Sequence, residues 1–488
     1  MADRGGELGA TRAGVTGEAP SDVLWHYNLS ARHLDKLCER VDTFSVSGDG
    51  ERLVVRHRDD IIVVPSSHKV DGDDPACIRV DLTRLRRTVN PRAEWRQMFD
   101  ENGRLMASHY WREDMNGVDW DGVLNRYRPL VDLCHVVDDL HDILWETVAE
   151  LNTSHSYVSA SGAAGDSDMR AGLLGADVSS GDDGARVVRV IPGESSDPRA
   201  WSPLRAAGVA VTEGDVIVAV DGRKVGADGN LGELLEGSAG RVVELTVRRG
   251  ENERQVAVVP MADEAPLRYH DWVASRRRYV EEHSGGRLGY LHVPDMVSDG
   301  WAELHRQIGE ATRHEGVIAD VRFNHGGHTS QLVVERLARR VVGWDYSRWY
   351  TTADTYPQNA VRGPIVMVTN QWAGSDGDIV AAATQAMGYA KVIGERSWGG
   401  VVGIDGRFDL VDGTSVTQPR YAGWYGSYGW GVENHGVDPD IVVTVSPEDW
   451  EADRDVQLDA AIAECLRQLD DKPAATAPEL PGPAFGRR

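Results

Sequence analysis

The stretch Pro364–Met387, PIVMVTNQWAGSDGDIVAAATQAM, passes from an unbroken apolar run into a glycine turn and then into an amphipathic, alanine-rich run. This spacing predicts a buried strand ending at Asn370, a turn through Gly374-Ser375-Asp376-Gly377, and a helix beyond it. A serine in that position sits at a helix N-terminus with backbone N–H groups nearby, which suits a nucleophile beside an oxyanion hole. Ser, Asp and Gly also favour N-caps, and taken alone Ser375 reads better as a cap.

Outward from this stretch the same alternation recurs. RLGYLHV (287–293) leads into the helical WAELHRQIGEATRHE, and GVIADVRF (316–323) leads through a glycine turn into SQLVVERLARRVV. The β-α-β-α order over 263–470 predicts a parallel or mixed sheet covered by helices, with ligands gathering where strands hand over to helices. In DVRFNHGGHTSQ (320–331), Gly326 and Gly327 allow close backbone approach to a reacting carbonyl. A phosphate-binding turn competes with that reading, but Walker-lysine and GxGxxG spacing are both missing.

Three further blocks precede this one. Residues 169–262 are glycine-rich with short strands, and SPLRAAGVAVTEGDVIVAVDGRKV (202–225) carries a hairpin turn at Asp221-Gly222. This block resembles a PDZ domain of the protease-associated type, with GLLGADV (172–178) similar to its carboxylate-binding segment. Such domains bind an extended peptide at a sheet edge. Residues 83–168 predict helices after Pro91 and over Leu133–Asn152, which place His155, in TSHSYV, just past a helix end. Residues 21–82 predict strands at FSVS, RLVVRH and DIIVV, about one propeller blade's worth. Residues 1–20 and 471–488 have the composition of disordered tails.

The chain has 488 residues, a length suggesting about three domains. Its formal charge of −25 argues against nucleic acid as a partner, since phosphate binding needs clustered Lys and Arg. The four scattered cysteines form no CxxC pair, and the histidines show no HExxH, so neither a disulfide framework nor a metal site is expected, and no cofactor is implied. With no apolar leader and no long apolar run, the expectation is a cytoplasmic protein without membrane partners.

TSHSYV, the PDZ-like block, DVRFNHGG, AGSDGDIV and ENHGVDPDI occur in the order seen in the tricorn proteases, and the chain resembles their C-terminal half over about residues 40–465. VNPRAEW, SHYW and MNGVDW resemble that family's helical domain. The resemblance implies a multidomain α+β protein: a residual β blade, a helical domain, a PDZ-like β domain and an α/β catalytic domain of the tail-specific protease (crotonase-like) type. It implies Ser375 as nucleophile, His155 as general base, Ser154 and Glu433 as the residues that orient the histidine, and the amides of Gly327 and Asp376 as the oxyanion hole. It also implies peptide substrates, a preference for basic residues before the cut with Asp345 as the local candidate, a hexameric assembly, and aminopeptidases acting downstream.

The related carboxyl-terminal processing proteases use a Ser-Lys dyad, with the lysine on a GEKTFGKG-like strand. Here the stretch is GERSWGGVV (394–402), so Gly400 stands at the lysine position, which favours His155 as the base. Lys391, read as lying at a helix end, is the nearest substitute lysine. The two propellers of the family are not matched: only residues 41–82 offer blade-like strands, so their gating role is not expected here. From a different class comes a second expectation, a catalytically impaired scaffold that binds peptides through the PDZ-like block.

Overall fold

The computed structural model describes residues 2–3, 22–86, 88–160, 169–226, 230–405 and 408–480. The tail expected at 1–20 lies outside these residues except for Ala2–Asp3, which pair with Leu24 and Val23.

A hairpin, Asp22–Asn28 with His33–Val41, stands beside a four-stranded antiparallel meander, Thr43–Val46, Arg52–His57, Asp60–Pro65 and Ile78–Arg79. The two share a small core of Leu24, Leu37, Val41, Leu53, Val55 and Val64. The hairpin was not legible as strands in the sequence. Next come the helices Pro91–His109, Trp120–Val131 and Val137–Ala149. Asn90 caps the first through Ala93 N–H, with Pro91 in its first turn, where the missing N–H costs nothing. Met98, Phe99, Leu105, Met106, Leu140, Leu144 and Val148 fill the space between them.

The block that follows is a β domain whose sheet runs in the order Asn252–Val258, Val243–Arg249, Val216–Val220, Gly184–Val190, Ala176–Gly181, with a short helix at Leu231–Leu234. Ala176–Gly181 is an edge strand.

The last domain is a parallel sheet with strands in sequence order: Leu288–His292, Gly316–Asp320, Ile365–Thr369, Ala390–Gly394 and Ile441–Val442. The first three strands are buried along their whole length. Both faces are covered, which is why these strands read as continuous apolar runs rather than alternating ones. The helices Ser298–Ala311, Ser330–Leu337 and Asp376–Met387 cover one face. Ala265–His283 and Val456–Asp471 cover the other. Past the last helix, where composition predicts a disordered tail, Ala475 N–H donates to the Arg362 carbonyl at 2.8 Å and Ala474 packs on the core; residues 481–488 lie outside the described residues. Lys391 lies on the strand Ala390–Gly394, not at a helix end, and pairs with Asp440 at 3.2 Å. No helix among the described residues is long and apolar enough to cross a membrane.

Candidate active site

Two neighbouring strands of the parallel sheet, Gly316–Asp320 and Ile365–Thr369, each end in a turn that starts a helix, and these turns are braced on one another. Asn370 Oδ1 accepts from Phe323 N–H at 3.0 Å and from Trp372 N–H at 3.2 Å, while Gly374 N–H donates to the Asn324 carbonyl at 3.0 Å.

Ser375 stands at the head of the helix Asp376–Met387 with φ 56° and ψ −117°, a conformation L-residues rarely adopt. Strain of this kind persists only where its surroundings impose it. Gly326, with φ +76°, packs closely on Ser375: a Cβ there would lie 2.6 Å from the Ser375 Cβ, so only glycine fits. A cap is excluded as the role of the hydroxyl, because the Ser375 side chain makes no capping hydrogen bond.

Gly327 has φ +148°, and a Cβ on it would meet the Met296 carbonyl at 2.1 Å, so glycine is required. Among the described residues, the N–H groups of Gly327 and Asp376 donate to no acceptor in the chain. The Asp376 side chain instead accepts from Ser330 N–H at 2.9 Å and Ser330 Oγ at 2.5 Å, tying together the starts of the two helices. Its burial pushes the carboxyl above the ordinary value, against those two hydrogen bonds.

His155 reaches this place from the helical region. Val158–Ser159 pairs with Ser415–Val416, and Thr417 Oγ1 donates to the His155 carbonyl, fastening the segment to the last domain. The His155 Nδ1 lies 2.8 Å from Ser154 Oγ, and Ser154 Oγ lies 3.2 Å from Glu433 Oε2. Glu433 also accepts from Ser154 N–H at 2.8 Å and from Val401 and Val402 N–H at 2.7 and 2.9 Å. A carboxylate only accepts, so Ser154 Oγ gives it its proton and accepts the Nδ1–H. The lone pair is then left on Nε2. Burial pushes the imidazole below its ordinary pKa of 6.5, with the Glu433 charge acting in the opposite sense.

The Trp398 ring packs both on the backbone at Gly374, next to Ser375, and on the His155 imidazole. No hydrogen bond joins the Ser375 hydroxyl to His155 among the described residues; such contacts commonly tighten only with substrate in place. Asp345 is exposed on a two-stranded ladder, Gly343–Asp345 with Asp354–Tyr356, directly opposite Asp354. Among the described residues no ion pair joins it to another candidate. Gly400 also abuts Trp398: a Cβ there would lie 2.2 Å from the ring.

The segment similar to a PDZ carboxylate-binding turn is already engaged. Gly172 N–H donates to the Leu235 carbonyl, Leu173 N–H to Met261, and Gly175 N–H to Glu264 Oε1 at 2.6 Å.

The parallel sheet with its paired strand-end turns has the architecture of a peptidase domain, and residues 287–443 match the model of peptidase family S41. Residues 172–263 match the tricorn protease PDZ domain, and residues 91–149 match the tricorn protease C1 domain. The matched regions and the relatives below are those of the tricorn proteases, which the chain resembles along most of its length. It is 56% identical over 481 residues to tricorn protease homolog 1 of Streptomyces coelicolor, covering 98% of this chain and 45% of that protein. It is 35% identical over 454 residues to the tricorn protease of Thermoplasma acidophilum, covering 93% of this chain and 42% of that protein. It superposes on the crystal structure of the tricorn protease with a TM-score of 0.86 and 34% identity, covering 93% of this chain and 44% of that one. The chain thus spans less than half the length of these relatives.

Proposed function

We infer that the chain is a serine peptidase that cuts oligopeptides or unfolded polypeptides through Ser375, His155, Ser154 and Glu433. The observation that carries this reading is the Glu433–Ser154–His155 hydrogen-bond chain, which leaves Nε2 unprotonated; a strained Ser375 and two unused amides supply the other parts of the site.

In this mechanism Ser375 Oγ attacks the scissile carbonyl and its proton passes to His155 Nε2. The developing oxyanion accepts from Gly327 N–H and Asp376 N–H, which need no reorganisation to meet it. The tetrahedral species collapses as the C–N bond breaks, and His155 returns the proton to the departing amine. Water then attacks the acyl ester with His155 again as base, releasing the acid and restoring Ser375. Ser154 and Glu433 hold the tautomer and stabilise the imidazolium.

Peptides with Lys or Arg before the cut belong to this reading, as does a homo-oligomer, with aminopeptidases taking the products. In the segment similar to a PDZ carboxylate-binding turn, the N–H groups of Gly172, Leu173 and Gly175 are used within the chain, which favours the enzyme over a scaffold that captures peptide termini. The test is turnover of fluorogenic Arg and Lys peptides by the parent and by Ser375→Ala. Equal rates would end the peptidase reading.

Asp345 bears on specificity alone. With Asp345→Ala, the ratio of kcat/KM for Lys or Arg peptides over Leu or Phe peptides is expected to fall about tenfold or more, the size of one lost charge-assisted contact. An unchanged ratio removes Asp345 from the substrate pocket.

A further inference from the structure

The segment Ser397–Val402 passes directly behind the site, and two carboxylates grip it. Asp378, fully buried in the first turn of the Ser375 helix, accepts from Ser397 Oγ at 2.5 Å, Gly399 N–H at 2.8 Å and Gly400 N–H at 3.3 Å. Glu433 takes the next two amides, those of Val401 and Val402. Four successive N–H groups, 399 to 402, therefore end on two carboxylates. Trp398 N–H donates to the Ala373 carbonyl at 2.9 Å.

This clamp presents the Trp398 ring. The indole lies edge-to-face on His155, with centroids 5.5 Å apart and planes at 73°, and Tyr157 meets the imidazole similarly at 5.7 Å and 63°. The ring is 47% exposed, so core packing does not explain it. It also fills the space beside Gly374 and Gly400, where added Cβ atoms would lie 2.8 and 2.2 Å from ring carbons.

We propose that Trp398, held by Asp378, is a positioning residue for His155 and at the same time denies position 400 the room for a side-chain base. This rests on His155 being the base. The two aromatic edges restrict imidazole rotation and keep Nδ1 on Ser154, so Nε2 stays aimed at the nucleophile. They also shield the imidazole from water. The titratable groups bearing on the imidazole are Glu433, across Ser154, and Tyr157. Burial pushes Asp378 up to about 6, so the clamp is at full strength above that pH and weakens as the carboxyl protonates below it.

The experiment compares the parent, Trp398→Ala, Trp398→Phe and Asp378→Asn by the NMR titration of the His155 ring, by kcat and KM on a fluorogenic peptide, and by melting temperature. Trp398→Ala is expected to raise the His155 pKa toward 6.5, because water returns to the ring. It is expected to lower kcat by between about tenfold and a hundredfold, with little change in KM or melting temperature. Trp398→Phe should restore most of both, and Asp378→Asn should move both in the same direction as Trp398→Ala. A parent-like titration in Trp398→Ala overturns the proposal, whatever happens to kcat, and so does a Phe variant no better than Ala. The titration reads the His155 surroundings without turnover. Failure of the peptidase reading, seen as equal rates for parent and Ser375→Ala, is therefore distinguishable from failure of this one.

Discussion

Alanine at His155 is expected to lower kcat about 10⁴-fold or more on any peptide the parent cuts, while Lys391→Ala leaves it within about twofold. Losing the base leaves the serine as an alcohol whose proton has no acceptor, and the amides of Gly327 and Asp376 alone retain only a residue of the rate enhancement. Lys391 cannot substitute: it is ion-paired with Asp440 on the strand Ala390–Gly394. The same assignment sets the sign of the pH dependence. A protonated imidazole cannot accept the Ser375 proton, and burial holds the His155 pKa below 6.5. The acid limb of kcat/KM is therefore expected below that ordinary value, with activity rising as pH increases through it. A Lys391→Ala variant that lost activity while His155→Ala kept it would return the lysine-dyad mechanism.

Arg322→Met is expected to destabilise the protein by roughly 3–5 kcal/mol, read as a lower urea midpoint. Arg322 lies almost wholly buried immediately before the Phe323–Gly327 turn. Its guanidinium bonds Asp320 at 2.7 Å and Asp455 at 2.7 and 3.0 Å. Asp320 also accepts from Tyr290 Oη, and the Arg322 carbonyl lies 2.9 Å from His292 Nε2. Removing Arg322 leaves Asp320 buried without its cation and Asp455 with Arg276 alone, 3.3 Å away, whereas removing Arg96 from its exposed pair with Asp132 should cost no more than about 1 kcal/mol. For Asp455 burial acts upward, but Arg322, the Leu458 N–H and Arg276 together hold the carboxyl below the ordinary value. A depressed carboxylate contributes stability above its unfolded pKa and loses it as pH falls through the folded one. The parent should therefore lose stability toward acid pH more steeply than Arg322→Met. Equal urea midpoints would show that the network contributes no net stability.

The parallel sheet was legible because its strands are buried on both faces and so appear as LGYLHV, GVIADV and IVMVT, punctuated by glycine turns. His155 was legible only through the ordered set of motifs; a histidine after a helix has no signature of its own. The hairpin at Asp22–Val41 escaped the sequence because its burial is irregular and its register shifts at Leu24. Asp378 escaped for a different reason. An acidic residue in the first turn of a helix is accounted for by the helix dipole, so nothing local marks it as the anchor of a loop some twenty residues away.

By itself the sequence determined the strand-turn-helix units, the presence of a serine at a helix head, and the absence of a lysine at position 400. Those are local properties of periodicity, turn chemistry and residue identity. Only the tertiary structure decided that Ser375 is strained rather than capping, that Glu433 reaches Ser154 across 279 positions, and that Trp398 lies against both the imidazole and the Gly374-Ser375 turn. These depend on hydrogen bonds and steric contacts between segments far apart in the chain, whose partners no local pattern specifies.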